Sequence, residues 1–305
     1  MNPLPDGKNT VGRGIVMHGK QLAARYFMLS FAVGFLVLAV AAMTAVLLIP
    51  PHMASADTLE GRVSGTYLPT NDDALNLFFV LEESGADDLF ALVRFDPLRG
   101  QIPVAVLPPG TLVGEGGDAV PLGTLCRYAG PGSAAASVEK ALGITLDRQV
   151  VLNGAALAQA VDLLGGVQYQ LREPVELAGE RLEAGNYQLS GNLTRELMRY
   201  PGYREGERDR TAGAARLFSA MINQNSGIVL SEEADEMFRK LVALTSTDLS
   251  VADYQQRKPA AQFLAKLIGD AAFAVDVKGE DIPAYGAFVL SDTSREQLRG
   301  IYSPA

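Results

Sequence analysis

Apolar residues fall along this chain in three kinds of run, and each predicts a different element. The first is YFMLSFAVGFLVLAVAAMTAVLLIP at 26–50, 25 positions without an acidic or basic side chain. As a helix rising about 1.5 Å per residue, it would cross roughly 30 Å of bilayer hydrocarbon. Lys8, Arg13, Lys20 and Arg25 precede it against Asp6 alone. The positive-inside bias then puts residues 1–25 in the cytoplasm and the chain beyond 51 outside. A long signal peptide ending near SADT is the other reading, but so many apolar positions exceed its usual apolar stretch. The pattern therefore predicts a cytoplasmic N-terminus (1–25), a transmembrane helix (26–50) and an extracytoplasmic linker (51–75). The protein would sit in the cell membrane with a single pass.

The second kind is short and dense. NLFFVL (76–81), LFALVRF (89–95) and VAVL (104–107) predict strands, separated by turns at EESGADD and DPLRG. PPG ends the third, since proline lacks a donor and glycine allows a sharp loop.

The third kind mixes apolar with small and polar residues at helical spacing. SAAASVEKALGI (133–144) predicts a helix, and VVLNGAALAQAVDLLGGVQYQL predicts strand, helix and strand, with Gly165 and Gly166 as the helix stop. Further helices are predicted from about residue 191, from Asp209 and Arg210 through 225, in EEADEMFRKLVALT, and in VADYQQRKPAAQFLAKLIG, which Pro259 breaks or bends. AFAVDV and AYGAFVL predict strands, and REQLRGIY a short final helix. Interleaved helices and strands give an α/β class with a mixed central sheet flanked by helices.

Composition narrows the chemistry. The 305 residues are 48% hydrophobic, which supports a sizeable core. Leaving out residues 1–25, with their four basic and one acidic residue, leaves 22 basic and 34 acidic groups, a balance of −12. That argues against nonspecific nucleic-acid binding, which wants a basic footprint. One cysteine and two histidines give neither an intramolecular disulfide nor a zinc-type grouping, and Cys126 reads as a small core side chain.

Two clusters could carry chemistry. Glu82, Glu83, Asp87 and Asp88 meet across a short turn, where carboxylates either hold Mg2+ through oxygen or simply stay hydrated. RYPGYREGERDR (199–210) carries Arg199, Arg204, Arg208 and Arg210 among Glu205, Glu207 and Asp209. These arginines either clamp a diphosphate or form a solvated ion network. No Walker A loop and no GxSxG nucleophile segment accompanies them.

The order of features resembles the LytR-CpsA-Psr family of bacterial envelope proteins. The similarity runs through NLFFVLEESGADDLFALVRFDP, VAVLPPGTLV, SVEKALGI, VDLLGGV and LSGNLTRELMRYPGYREGERDRTAGAARLFSAM, about residues 76–222 as a core, with 223–305 completing the extracytoplasmic domain. The resemblance implies binding of a polyprenyl pyrophosphate-linked glycan and transfer of its glycan phosphate to peptidoglycan. A hydrophobic cavity would hold the lipid tail, acidic residues would bind Mg2+ and arginines would engage the pyrophosphate. Carried over by position, Glu83 and Asp88 are the implied Mg2+ ligands, and Arg199 and Arg210 the implied catalytic phosphate binders. The pattern departs at Pro109 and Gly110, where arginine and aspartate are expected, at Pro201, and at Gly213, Ala214 and Ala215. Arg204 or Arg208 would have to compensate. The alternative is a degenerate relative that binds envelope lipid or glycan, or organises partners, without turnover.

Overall fold

The computed structural model describes residues 67–83, 88–114, 116–177, 179–203 and 206–303. The predicted transmembrane helix, Asp87 and Arg204 lie outside them. Among the described residues no helix is long and apolar enough to cross a membrane.

The dense apolar runs form β1 (Leu75–Glu82), β2 (Leu89–Phe95) and β3 (Ile102–Leu107), in which every residue except Glu82 is buried. Continuous rather than alternating apolarity is what a strand covered on both faces requires. Next come β4 (Leu112–Val113), β5 (Val120–Pro121), α1 (Leu122–Ala129), α2 (Pro131–Leu142), β6 (Arg148–Asn153) and α3 (Gly154–Leu163). Two small hairpins, β7 (Val167–Leu171) with β10 (Gly185–Leu189) around β8 (Val175–Leu177) with β9 (Glu180–Leu182), lead to α4 (Gly191–Arg199) and α5 (Glu207–Asn225). The chain closes through α6 (Ala234–Val242), β11 (Ser246–Thr247), α7 (Val251–Leu267), β12 (Ala272–Val275), β13 (Gly279–Ile282), β14 (Ala287–Leu290) and α8 (Asp292–Tyr302).

The central sheet has the order β11-β6-β1-β2-β3-β12. It is mixed: β1 pairs parallel with β6 and β3 with β12, and the remaining neighbours are antiparallel. Alternation along β1 sends Leu77, Phe79 and Leu81 into a core with Val161, Phe218, Met221 and Leu264. Phe78 and Val80 enter a second core with Leu122, Val138, Leu142 and Leu298. Helices thus cover both faces. The wholly buried Tyr302 hydroxyl donates to the Leu92 carbonyl at 2.8 Å, fastening α8 across the sheet.

Several boundaries differ from the pattern. Pro131 occupies the first turn of α2, which begins two residues before the run that predicts it. The break expected at Pro259 is absent: α7 runs through it, held by the buried Tyr254, Ala260, Ala261 and Leu264. The expected strand at 284–290 shortens to β14, because residues 283–285 form a 3-10 turn that ends on left-handed Gly286. Gly165 and Gly166 do end α3, at φ 80° and 83°, and their amides return to the Asp162 and Val161 carbonyls.

Candidate functional site

The parallel register sets Glu82, at the end of β1, opposite Asn153, at the end of β6. Asn153 caps α3 by accepting from the Ala156 amide at 2.9 Å. The next residue in β1's path, Glu83, is thereby laid against the start of α3. Its side chain is 3% exposed, and both carboxylate oxygens are taken by Arg195 of α4. Nε donates to Oε1 and Nη2 to Oε2, each at 2.6 Å. Arg199, one helical turn on, brings Nε to 3.9 Å from Glu83 Oε2 and Nη1 to 3.8 Å from Glu196. The fork between Glu83 and Arg195 holds the Arg195 proton more tightly than usual, with burial opposing. Gly154 makes room for the pair, since a Cβ there would sit 1.8 Å from Glu83 Oε1 and 2.1 Å from Arg195 Nε.

Asp88 closes the turn from β1 to β2: its Oδ1 accepts from the Glu83 amide at 2.8 Å. The Asp88 carbonyl in turn accepts from Arg210 Nη2 at 3.4 Å. Arg210 is 4% exposed and faces inward, forked onto Glu207 and donating from Nη1 to the Met198 carbonyl at 3.3 Å. It ties the end of α4 to the start of β2.

All four residues singled out in the sequence therefore gather at one end of the central strands, where β1 ends and β2 begins. Glu83 and Asp88 adjoin, Arg199 stands beside Glu83, and Arg210 lies behind Asp88. Sequence reasoning missed Arg195. The available signal was RELMR, whose i, i+4 spacing puts Arg195 and Arg199 on one face of α4. Arg208, expected in a loop, sits exposed in the first turn of α5.

Among the described residues, which leave out Asp87, the donor set does not suit Mg2+. No group of three or more His, Cys, Asp or Glu side chains among the described residues could hold a metal. Glu83 also directs both oxygens at a guanidinium. Mg2+ wants near-octahedral oxygen at about 2.0–2.1 Å.

The departures from the family pattern are built into the packing. A Cβ on Gly110 would meet the Gly286 carbonyl oxygen at 2.7 Å, so an aspartate there has no room. The Gly110 carbonyl accepts from the Phe288 amide at 2.7 Å, and Pro109's from Gly123 at 2.8 Å. At Gly213, where a second arginine is expected, the Tyr203 hydroxyl stands 3.3 Å from where a Cβ would be. Tyr203 packs edge-on against Tyr200, with ring centroids 5.1 Å apart, and burial pushes its hydroxyl pKa up. An apolar cavity of about 20 Å³, lined by Phe95, Ile102 and Leu264 among others, lies at the far end of β2. It has room for about one water.

Cys126, on α1, is 7% exposed. Burial first, then Asp88 and Glu82, push its thiol up to about 11. Thiolate is the reactive form, so disulfide-exchange labelling at pH 8 should be slow in the folded protein and fast in urea. Because the folded value is raised, the associated stability is present below the unfolded thiol value and is lost as pH rises through about 11.

Two arginines of one helix thus stand against a carboxylate at the end of the parallel pair β1–β6, in a domain with helices on both faces of a mixed sheet. The chain belongs to the LytR_cpsA_psr family, whose sequence model matches residues 92–299. A comparison with curated proteins found no match. Among solved structures, a Eubacterium siraeum protein superposes with TM-score 0.69 at 13% identity, over 82% of this chain and 98% of its own. B. subtilis TagV gives 0.63 at 17%, over 75% and 95%. TagT bound to LIIa-WTA gives 0.59 at 17%, over 76% and 90%.

Proposed function

We propose that this protein is a divergent cell-envelope glycopolymer phosphotransferase, acting on a polyprenyl pyrophosphate-linked glycan with peptidoglycan as acceptor. Residues 26–50 anchor it in the cell membrane, and the described domain lies outside. The observation that carries this reading is the convergence of Arg195, Arg199, Glu83 and Asp88 at one end of the central strands of a family fold. The TagT structures bound to LIIa-WTA and LI-WTA support a glycopolymer ligand for the fold. In the reaction an acceptor hydroxyl attacks the phosphorus nearest the glycan. The bond to the bridging oxygen breaks, polyprenyl phosphate leaves with the electron pair, and the hydroxyl proton is released. Arg199, 26% exposed, offers charge-assisted donors to the phosphoryl oxygens as charge develops. Arg210, buried, positions α4.

A second reading, ligand binding without transfer, is favoured by the inward-facing Arg210 and by Gly110, whose site excludes the family's aspartate. The full chain in detergent, given a labelled lipid-linked glycan and peptidoglycan, distinguishes the two. Transfer is expected, with Arg199→Gln at least about tenfold slower from the loss of about 1.5–3 kcal/mol of charged hydrogen bonding. Binding without transfer supports the second reading, and absence of both rejects each.

A further inference from the structure

We propose that Arg195 stands where a divalent cation would otherwise bridge Glu83 to the ligand, so that this site binds its pyrophosphate without metal. The inference rests on the proposed function and concerns the same site. A carboxylate that ligates Mg2+ must aim oxygen lone pairs at the ion. Glu83 instead aims both oxygens at Nε and Nη2 of one guanidinium, 2.6 Å away on each side, in a setting where its side chain is 3% exposed. Seating a metal there would break a buried two-point fork, leaving a guanidinium beside the incoming cation.

The fork uses only one side of Arg195. A guanidinium carries five N–H donors. The side-on contact consumes the Nε hydrogen and one on Nη2, which leaves the end-on edge formed by Nη1 and the second Nη2 hydrogen. That edge has the planar geometry that grips phosphate bidentately. The side chain is 31% exposed, so solvent-borne anions can reach it. Arg199 stands on the same helix face, 26% exposed and 3.9 Å from the same carboxylate. Arg195 balances the Glu83 charge, and Arg199, which also pairs with Glu196 at 3.8 Å, brings a second guanidinium to the same carboxylate. A bridging metal would otherwise supply this positive charge. Gly154 fits this arrangement, because any side chain there would occupy the space of the Glu83–Arg195 fork.

The test is calorimetric binding of farnesyl pyrophosphate to the full chain in detergent, in EDTA and again with Mg2+. Affinity equal within about twofold in the two buffers is expected. Arg195→Gln should bind at least about tenfold more weakly in EDTA. Should that variant fail to fold, Arg195→Lys decides: it keeps the charge but loses the planar two-donor edge. Its affinity in EDTA should fall at least about threefold, and a wild-type affinity for it there would overturn the inference. Binding by the wild type with Mg2+ but not in EDTA would overturn the inference and leave the proposed function standing. So would a wild-type affinity for Arg195→Gln in EDTA. No binding in either buffer would reject the proposed function, and the inference with it.

Discussion

Arg195→Ala should lower the unfolding free energy by about 3 kcal/mol, and Glu83→Ala together with Arg195→Ala should cost less than Arg195→Ala alone. Removing one member of a buried ion pair leaves the other charge without compensation and typically costs about 3–5 kcal/mol. The lower end applies here because Arg195 is 31% exposed, and water reaching Glu83 through the vacated space would screen part of its charge. In the double variant neither charge of this pair remains. A urea-unfolding double-mutant cycle measures the difference, and a coupling below about 0.5 kcal/mol would mean the fork contributes little to the fold. Glu236–Lys240, an exposed pair in α6 at 2.7 Å, is the natural contrast. Its coupling should be far smaller than that of the buried fork, because both partners stand in water.

The same contrast explains what could be read from the sequence. β1, β2 and β3 were legible because a strand buried on both faces leaves an uninterrupted apolar run, and Gly165–Gly166 because left-handed glycines end helices. The positions of Glu83 and Asp88 followed from the turn joining two such strands. Arg195 was not legible. In GNLTRELMR it looks like one more polar residue on a solvated face, and only the approach of α4 to the end of β1, from 112 residues away in the chain, makes it a partner of Glu83. The inward turn of Arg210 was hidden for a similar reason: besides Glu207, it reaches the Met198 and Asp88 carbonyls, backbone atoms that no residue pattern marks. The hairpins within 167–189 were only partly visible because their strands, three to five residues long, are too short to show a clear period. Gly110 and Gly213 could be recognised as departures from a family pattern, but their packing roles depend on Gly286 and Tyr203.

Glycines at the helix starts give the last expectation. Gly191→Ala should destabilise the domain by about 3 kcal/mol, the upper part of the usual range for an inserted methyl in a closed space. Gly191 is the first residue of α4, and its amide donates to Asp162 Oδ1 at 2.7 Å. A Cβ there would lie 1.9 Å from the Ala158 carbonyl oxygen and 2.7 Å from the Ala158 Cα. These are backbone atoms in the middle of α3, so no rotamer change relieves the clash and the two helices must separate. For a domain of this size the melting temperature should fall by roughly 6–12 °C. Because α4 also carries Arg195 and Arg199, the same separation draws both guanidinium groups away from Glu83, so pyrophosphate binding should weaken along with stability. Gly300→Ala in α8 supplies the control: nothing lies within 4 Å of its would-be Cβ. There alanine should add about 0.5–1 kcal/mol by reducing the freedom of the unfolded chain. If both substitutions left melting unchanged, the close approach of α3 and α4 would not be what holds the arginine-bearing helix in place.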